Sequence, residues 1–359
     1  MASLSAKRSY DDDDSTLNIK EKKKHTNSYL TYDILRVVFK YLNWVDLMNA
    51  SLVCRSWLEA ANDEKRTREG PISLLNNGKR CVKIVEKLWN KPTLGLVFKG
   101  ILKRSIRQDC LCQVLPHSCE IVTLSTFGVL INNAEMENAY HQKVYAFLPK
   151  IPDVRMKVIK IVSQDDFTEY HQQIRLSFVR HKINDSKCLL IFCNQAGRGL
   201  AQRTARILQL SNRRIRPSVW GGVVKDLYLC NSKNRDHDDR CFSYALCVAI
   251  IIIGAIDSWS IVLDGSCNTK GLVERKLESF KNNISLRKHS IGYMFACCER
   301  GTNMFNERNV ESTIFRKLFP GVPLVGCFGD GEFGEDTISS SKYLSLLPQT
   351  LLENNAPLL

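Results

Sequence analysis

Apolar positions between Leu30 and Asn62 recur at three- and four-residue intervals, the period of a helix lying against something. Leu30, Ile34, Leu35, Val38, Tyr41 and Leu42 make one stripe. Val45, Leu47, Met48 and Leu52 make a second, and Val53, Cys54, Trp57 and Leu58 a third. Asn43 stands between the first two, where its side-chain oxygen can accept from the amide near Asp46, and Asp46 sets a carboxylate at the positive end of the new helix. The pattern predicts three short helices carrying more apolar surface than roughly 40 residues can hide by themselves. A partner is the economical cover. Charged residues from Asp63 onward, ending in Gly70-Pro71, read as a linker.

Further on the period changes. Three units share a theme of strand, turn or helix, then strand. The first runs from a strand at Thr93–Phe98 through a predicted helix near Ser105–Val114 to a strand at Glu120–Leu124. The second has a strand at Cys188–Cys193, a turn through Ala196-Gly197-Arg198-Gly199, a helix over Ala201–Leu210 and the string Pro217-Ser218-Val219-Trp220-Gly221-Gly222. The third has a strand at Ile291–Ala296, a turn at Arg300-Gly301, a helix over Asn309–Leu318 and Pro323-Leu324-Val325-Gly326. The likeness of the last two hints at an internal duplication. Runs at Lys143–Leu148, Arg155–Val162, Ser243–Ile253 and Trp259–Leu263 are expected as further strands, which together predict broad mixed sheets with helices packed on them.

Composition changes this picture little. A hydrophobic content of 44% in 359 residues allows a large core beside the small helical unit. The longest apolar run, Ala245–Ile256, is too short for a bilayer, and no apolar leader follows the start, so a cytoplasmic and nuclear location with reduced thiols is expected for the 14 cysteines. Residues 1–27, with Asp11–Asp14 and then Lys20, Lys22, Lys23 and Lys24, read as a disordered charged arm, and 346–359 as a fraying tail. The net charge of +14 favours acidic partners. Arg198, Arg203, Arg206, Arg213, Arg214 and Arg216 fall in an acid-free stretch that is either a solvated face or a docking face for an acidic protein. No aromatic interleaving accompanies them, so nucleic acid is not an expected partner, and neither is a membrane.

The helical stripes carry a resemblance. Leu30, Ile34-Leu35, Tyr41-Leu42, Asp46-Leu47 and Val53-Cys54-Arg55-x-Trp57 resemble the F-box, with Thr31 where proline and Asp33 where glutamate is usual. The resemblance implies docking on the adaptor Skp1, and through it on a cullin and a RING protein. It implies Leu30, Ile34, Leu35, Val38, Tyr41, Leu42, Val45, Leu47, Val53, Cys54 and Trp57 as the docking set.

A second resemblance lies near the far end. Cys297-x-x-Arg300-Gly301 within IGYMFACCERG, and Gly331-Glu332 within LFPGVPLVGCFGDGEFG, are similar to the C-terminal part of the FIST domain, a sensory domain thought to bind small ligands in bacteria. CLLIF and VWGG match its N-terminal half more faintly. The implied fold class is α+β, a small three-helix F-box (28–68) followed by a large mixed-sheet α/β FIST domain in two related halves, 69–235 and 236–345. The implied function is non-catalytic: a substrate receptor whose large domain selects proteins for ubiquitylation. The alternative is a sensor of a small amino-acid-like ligand, and the candidate residues for either are Cys297, Arg300, Gly301, Gly326, Gly329, Gly331 and Glu332. Glycines there permit close backbone approach, and Arg300 with Glu332 could hold a zwitterion or simply close a sheet edge.

No cofactor or metal is expected. Cys110-x-Cys112 with His117 and Cys119 lacks the Cys-x-x-Cys pairs of a zinc site. A nucleophilic Cys297 activated by Arg300 finds no nearby base, His289 being the closest histidine in sequence, and a redox-responsive pair of Cys297 with Cys298 is a further reading.

Overall fold

The computed structural model describes residues 30–68, 70–77, 82–101, 110–179, 186–211, 217–230 and 242–337. The charged arm, the C-terminal tail, most of the helix expected near Ser105 and Arg213, Arg214 and Arg216 lie outside them.

Three helices lead: α1 (Tyr32–Phe39), α2 (Trp44–Ala50) and α3 (Arg55–Thr67). Asn43 caps α2 as its position suggests, its Oδ1 accepting from the amides of Val45 and Asp46 at 2.9 and 3.0 Å. α3 continues through most of the stretch read as a linker, because Glu64 turns inward and is buried there.

The remainder builds three sheets from strands β1 (Ile72–Asn77), β2 (Pro92–Gly100), β3 (Glu120–Thr126), β4 (Gly128–Ile131), β5 (Ala134–Glu137), β6 (Gln142–Pro149), β7 (Val154–Ile161), β8 (Ser186–Cys193), β9 (Ser218–Val223), β10 (Asp226–Cys230), β11 (Phe242–Tyr244), β12 (Cys247–Gly254), β13 (Gly292–Cys297), β14 (Leu324–Gly329) and β15 (Glu332–Gly334). Their orders are β1-β6-β2-β3-β10-β11, β15-β9-β8-β12-β7 and β13-β14-β4-β5. Three pairs are parallel: β2 with β3, β8 with β9, and β13 with β14. These are the strands of the three units read from the sequence.

Strand alternation decides what each face packs against. Cys188, Leu190 and Phe192 of β8 join Leu94, Leu96 and Phe98 of β2 and Val325 and Cys327 of β14 in a core shared by all three sheets. Leu189, Ile191 and Cys193 point the other way, onto α5 (Phe167–Val179) and α6 (Arg198–Ser211), through Tyr170, Ile174, Ala201 and Ala205. β8 is therefore buried on both faces and reads as a continuous apolar run. The far face of the first sheet, with Val97, Ile121, Tyr145 and Phe147, is covered by α4 (Val82–Val85), Leu88 and a single 3₁₀ turn at Leu111–Gln113.

Two expected strands differ. Ser243–Ile253 is divided at Ala245-Leu246, where the chain leaves the first sheet as β11 and enters the second as β12. Trp259–Leu263 joins no sheet. Its donors are answered by side chains instead, Ser260 N by Thr337 Oγ1 at 3.0 Å and Val262 N by Asp336 Oδ1 at 2.7 Å. Helix α7 (Lys270–Asn282) then packs on α9 (Val310–Leu318) around Val273, Leu277, Val310, Ile314 and Phe319, with α8 (Thr302–Phe305) between β13 and α9. No helix among the described residues is long and apolar enough to cross a membrane.

Candidate functional site

The helical head has a core of its own, and it is already full. Leu35, Phe39, Leu47, Ala50, Ala60 and Ala61 are buried together, with Tyr32, Leu42 and Trp57 packed against them and the Trp57 ring edge-on to Phe39 at 5.4 Å. Helix α1 is apolar on two faces. Leu35 and Phe39 look inward, while Ile34, Val37 and Val38, with Tyr41 just past the helix end, look out to solvent. Of the sixteen large hydrophobic side chains exposed among the described residues, nine fall between Leu30 and Leu58. Leu52 and Val53, on the turn between α2 and α3, are 80% and 61% exposed. So many exposed apolar side chains on one small unit suit a surface that a partner covers.

The sequence-derived docking set therefore divides. Leu30, Ile34, Val38, Tyr41, Val53 and Cys54 are exposed, and Leu42, Val45 and Trp57 are half-buried. Leu35 and Leu47 are 1% exposed, so they hold the head together and cannot present a surface. The pattern had left Val37 and Leu52 out or unranked, though both stand open; their apolar character in a unit with a filled core was the available signal.

One arginine fixes the head to the rest of the chain. Arg68, just past α3, donates from Nε to Glu64 at 2.8 Å, and its two terminal nitrogens reach the carbonyls of Phe39 and Leu42, with Trp89 O at 3.2 Å. It thus gives a second donor to the Phe39 carbonyl, which already accepts from the Leu42 amide at 3.1 Å, and a donor to the Leu42 carbonyl just past the end of α1. Trp44 adds a backbone bond to Leu88 O at 3.0 Å and packs its ring against the first sheet.

The second candidate cluster surrounds the end of β13. Arg300 is 6% exposed and turns away from the strand ends. Its Nε and Nη2 donate to Glu311 Oε1 at 3.0 and 2.6 Å, and Nη2 also reaches Cys267 O at 3.0 Å. Burial works against its charge, but the bonds to Glu311 outweigh this and hold its pKa above the ordinary arginine value. Glu332 acts on it only through space; burial raises the Glu332 carboxyl, opposed by the charges of Arg300 and Arg198. The expected Arg300–Glu332 pairing is replaced by a buried Arg300–Glu311 pair, which takes the Nε–Nη2 edge of the guanidinium that a ligand carboxylate would need, while Nη1 faces Leu263 O at 3.4 Å.

The glycines answer to packing. A side chain on Gly326 would meet Met294 O at 1.7 Å across the parallel β13–β14 pair, and one on Gly329 would strike the Phe295 ring. Gly331, with φ of 110°, turns the chain from β14 into β15. Gly301, at φ 75°, lies against Glu137, whose Oε1 accepts from the amide and the hydroxyl of Thr302 at 2.8 Å each. Cys297 and Cys298 are half-buried, and burial with the neighbouring Cys297 lifts the Cys298 thiol to about 11, away from nucleophile chemistry at neutral pH. His289 lies beyond the opposite end of β13, against Gly70, out of reach as a base.

Of the arginine-rich stretch, Arg203 stacks on Phe167 at 4.5 Å and Arg206 is exposed on α6. The cysteines of the Cys110–Cys119 stretch do not stay together. Cys119 is buried with its pKa raised to about 12 by desolvation, whereas Cys110 and Cys112 gather with Cys230, which the sequence does not suggest.

Residues 32–67 match the F-box-like family model. The chain is similar to F-box only protein 22 of Homo sapiens and of Pongo abelii, 24% identical to each over 263 residues that cover 68% of this chain. The match spans 63% of the length of each of those relatives.

Proposed function

We propose that this chain is the substrate-recognition subunit of an SCF ubiquitin ligase. Its helical head docks Skp1, and the three-sheet region behind, 69–235 and 236–345 as two FIST-like halves, binds the protein to be ubiquitylated. Cullin and RING protein join through Skp1. The chain performs no chemistry. It raises the effective concentration of substrate lysines near a ubiquitin-charged enzyme held by other subunits.

The observation that carries this reading is the open apolar face of α1 and the α2–α3 turn, set on a head whose own core is complete. The match of residues 32–67 to the F-box-like model supports the identity of the partner. The Arg68 clamp supports the mechanism, since a tether positions substrate only if head and receptor move together. The test is binding of purified Skp1 to the full chain, together with affinity purification of the full chain and of a head-only version to find the proteins lost with the large region.

A further inference from the structure

Cys110, Cys112 and Cys230 bring their sulfurs within 4.8 Å of one another. Cys110 and Cys230 are 120 positions apart in sequence, yet their Sγ atoms lie 3.2 Å apart. Two of the thiols flank and enter the 3₁₀ turn at Leu111–Gln113. The third is the last residue of β10, where its register partner is Ile121 of β3. Cys112 is buried, the other two are half-buried, and the group sits on the rim of the core formed by Leu111, Leu115 and Ile121. Nonlocal strand pairing has thus assembled a soft donor set that no sequence spacing announces.

We propose that Cys110, Cys112 and Cys230 bind one Zn²⁺ as three thiolates, with water at the fourth corner. Tetrahedral thiolate zinc has Zn–S near 2.3 Å, which sets neighbouring sulfurs about 3.8 Å apart. The observed span from 3.2 to at most 4.8 Å brackets that separation, so the closest pair opens by about 0.6 Å and no pair closes by more than about 1 Å. Rotation about the side-chain bonds of two half-buried cysteines supplies this. On binding, three S–H bonds break, three protons pass to solvent and three sulfur lone pairs bond the metal, with no change of oxidation state. Thiolates prefer Zn²⁺ or Cu⁺ over harder cations. The ion joins the turn to the end of β10 and makes the stability of the first sheet metal-dependent.

The test uses the full chain, purified under a phosphine reductant without chelator, and elemental analysis. The proposal expects one zinc per chain, retained by Cys119→Ser, whose thiol lies outside the trio, and lost from Cys230→Ser and Cys110→Ser. Because those variants could lose metal by misfolding, chelator-stripped wild-type chain is also titrated with Co²⁺ and, separately, with Zn²⁺. A sulfur-to-cobalt charge-transfer band and a rise in melting temperature on adding Zn²⁺ support the site. A chain that holds no metal and gives no such band overturns it. So do copper in place of zinc, unchanged zinc in Cys230→Ser, and a Cys110–Cys230 disulfide found by mass mapping.

Discussion

Arg68 and Glu64 face each other one helical turn apart, Nε to Oε1 at 2.8 Å, with each side chain only 8% exposed. The pair links three pieces of backbone, since the same guanidinium holds the carbonyls of Phe39 and Leu42 in the head and Trp89 in the three-sheet region. Removing one member strands a buried charge, which costs about 3–5 kcal/mol. Arg68→Ala is therefore expected to destabilise the chain by that amount in urea unfolding. Arg68→Met combined with Glu64→Gln is expected to recover part of the loss, as a double-mutant cycle reads directly.

The Arg300–Glu311 pair makes a parallel case in the three-sheet region, its side chains 7% and 2% exposed. Arg300→Ala is expected to cost about 3–5 kcal/mol of stability. Addition of carboxylate metabolites should leave the melting temperature of the wild-type chain unmoved through this residue, because Nε and Nη2 are taken by Glu311 and the Cys267 carbonyl, Nη1 faces Leu263 O at 3.4 Å and the side chain is buried. A carboxylate-dependent shift that Arg300→Met abolishes contradicts the assignment.

Glu332 gives a pH signature. Burial raises its folded pKa above the ordinary 4.5, so the folded state favours the protonated form. Its ionisation costs stability as pH rises through the window between 4.5 and the folded value, and below 4.5 the penalty is absent. Glu332→Gln removes the titration. The melting temperature of the variant relative to wild type is expected to climb across that window and level off above it. A difference that stays flat with pH contradicts the burial argument.

Inward and outward residues of the head should separate in experiment. Leu35→Ala opens a cavity in a six-residue core and is expected to cost about 2–5 kcal/mol of stability. Tyr41→Ala, at 78% exposure, is expected to leave unfolding within about 0.5 kcal/mol of wild type while weakening the docking surface. Thermal unfolding of the two variants side by side checks the division.

Much of this arrangement could be read from the chain, and what could not has a common cause. The three helices, the Asn43 cap and the strands of the parallel pairs were legible because helical and strand periods are local. Which apolar stripe of α1 faces inward was not, since period marks Leu35 and Ile34 alike and only the packing of α3 against α1 tells them apart. The division into three sheets, the desertion of Trp259–Leu263 by the ladder and the choice of Glu311 over Glu332 by Arg300 depend on pairings between distant segments. Helix α7 was legible and missed: Thr269 accepts from the Leu272 amide at its start, and Val273, Leu277 and Phe280 follow at helical spacing.

The central claim is that the open face of the head is a Skp1 docking surface. It is tested most directly by calorimetric titration of purified Skp1 into the full chain and into a Leu52→Asp, Val53→Asp variant, whose positions are 80% and 61% exposed. Saturable binding by the wild-type chain is predicted, with a loss of about 2 kcal/mol or more in the variant and an unchanged unfolding midpoint. A wild-type chain that ignores Skp1, or a variant that binds it as tightly, contradicts the account.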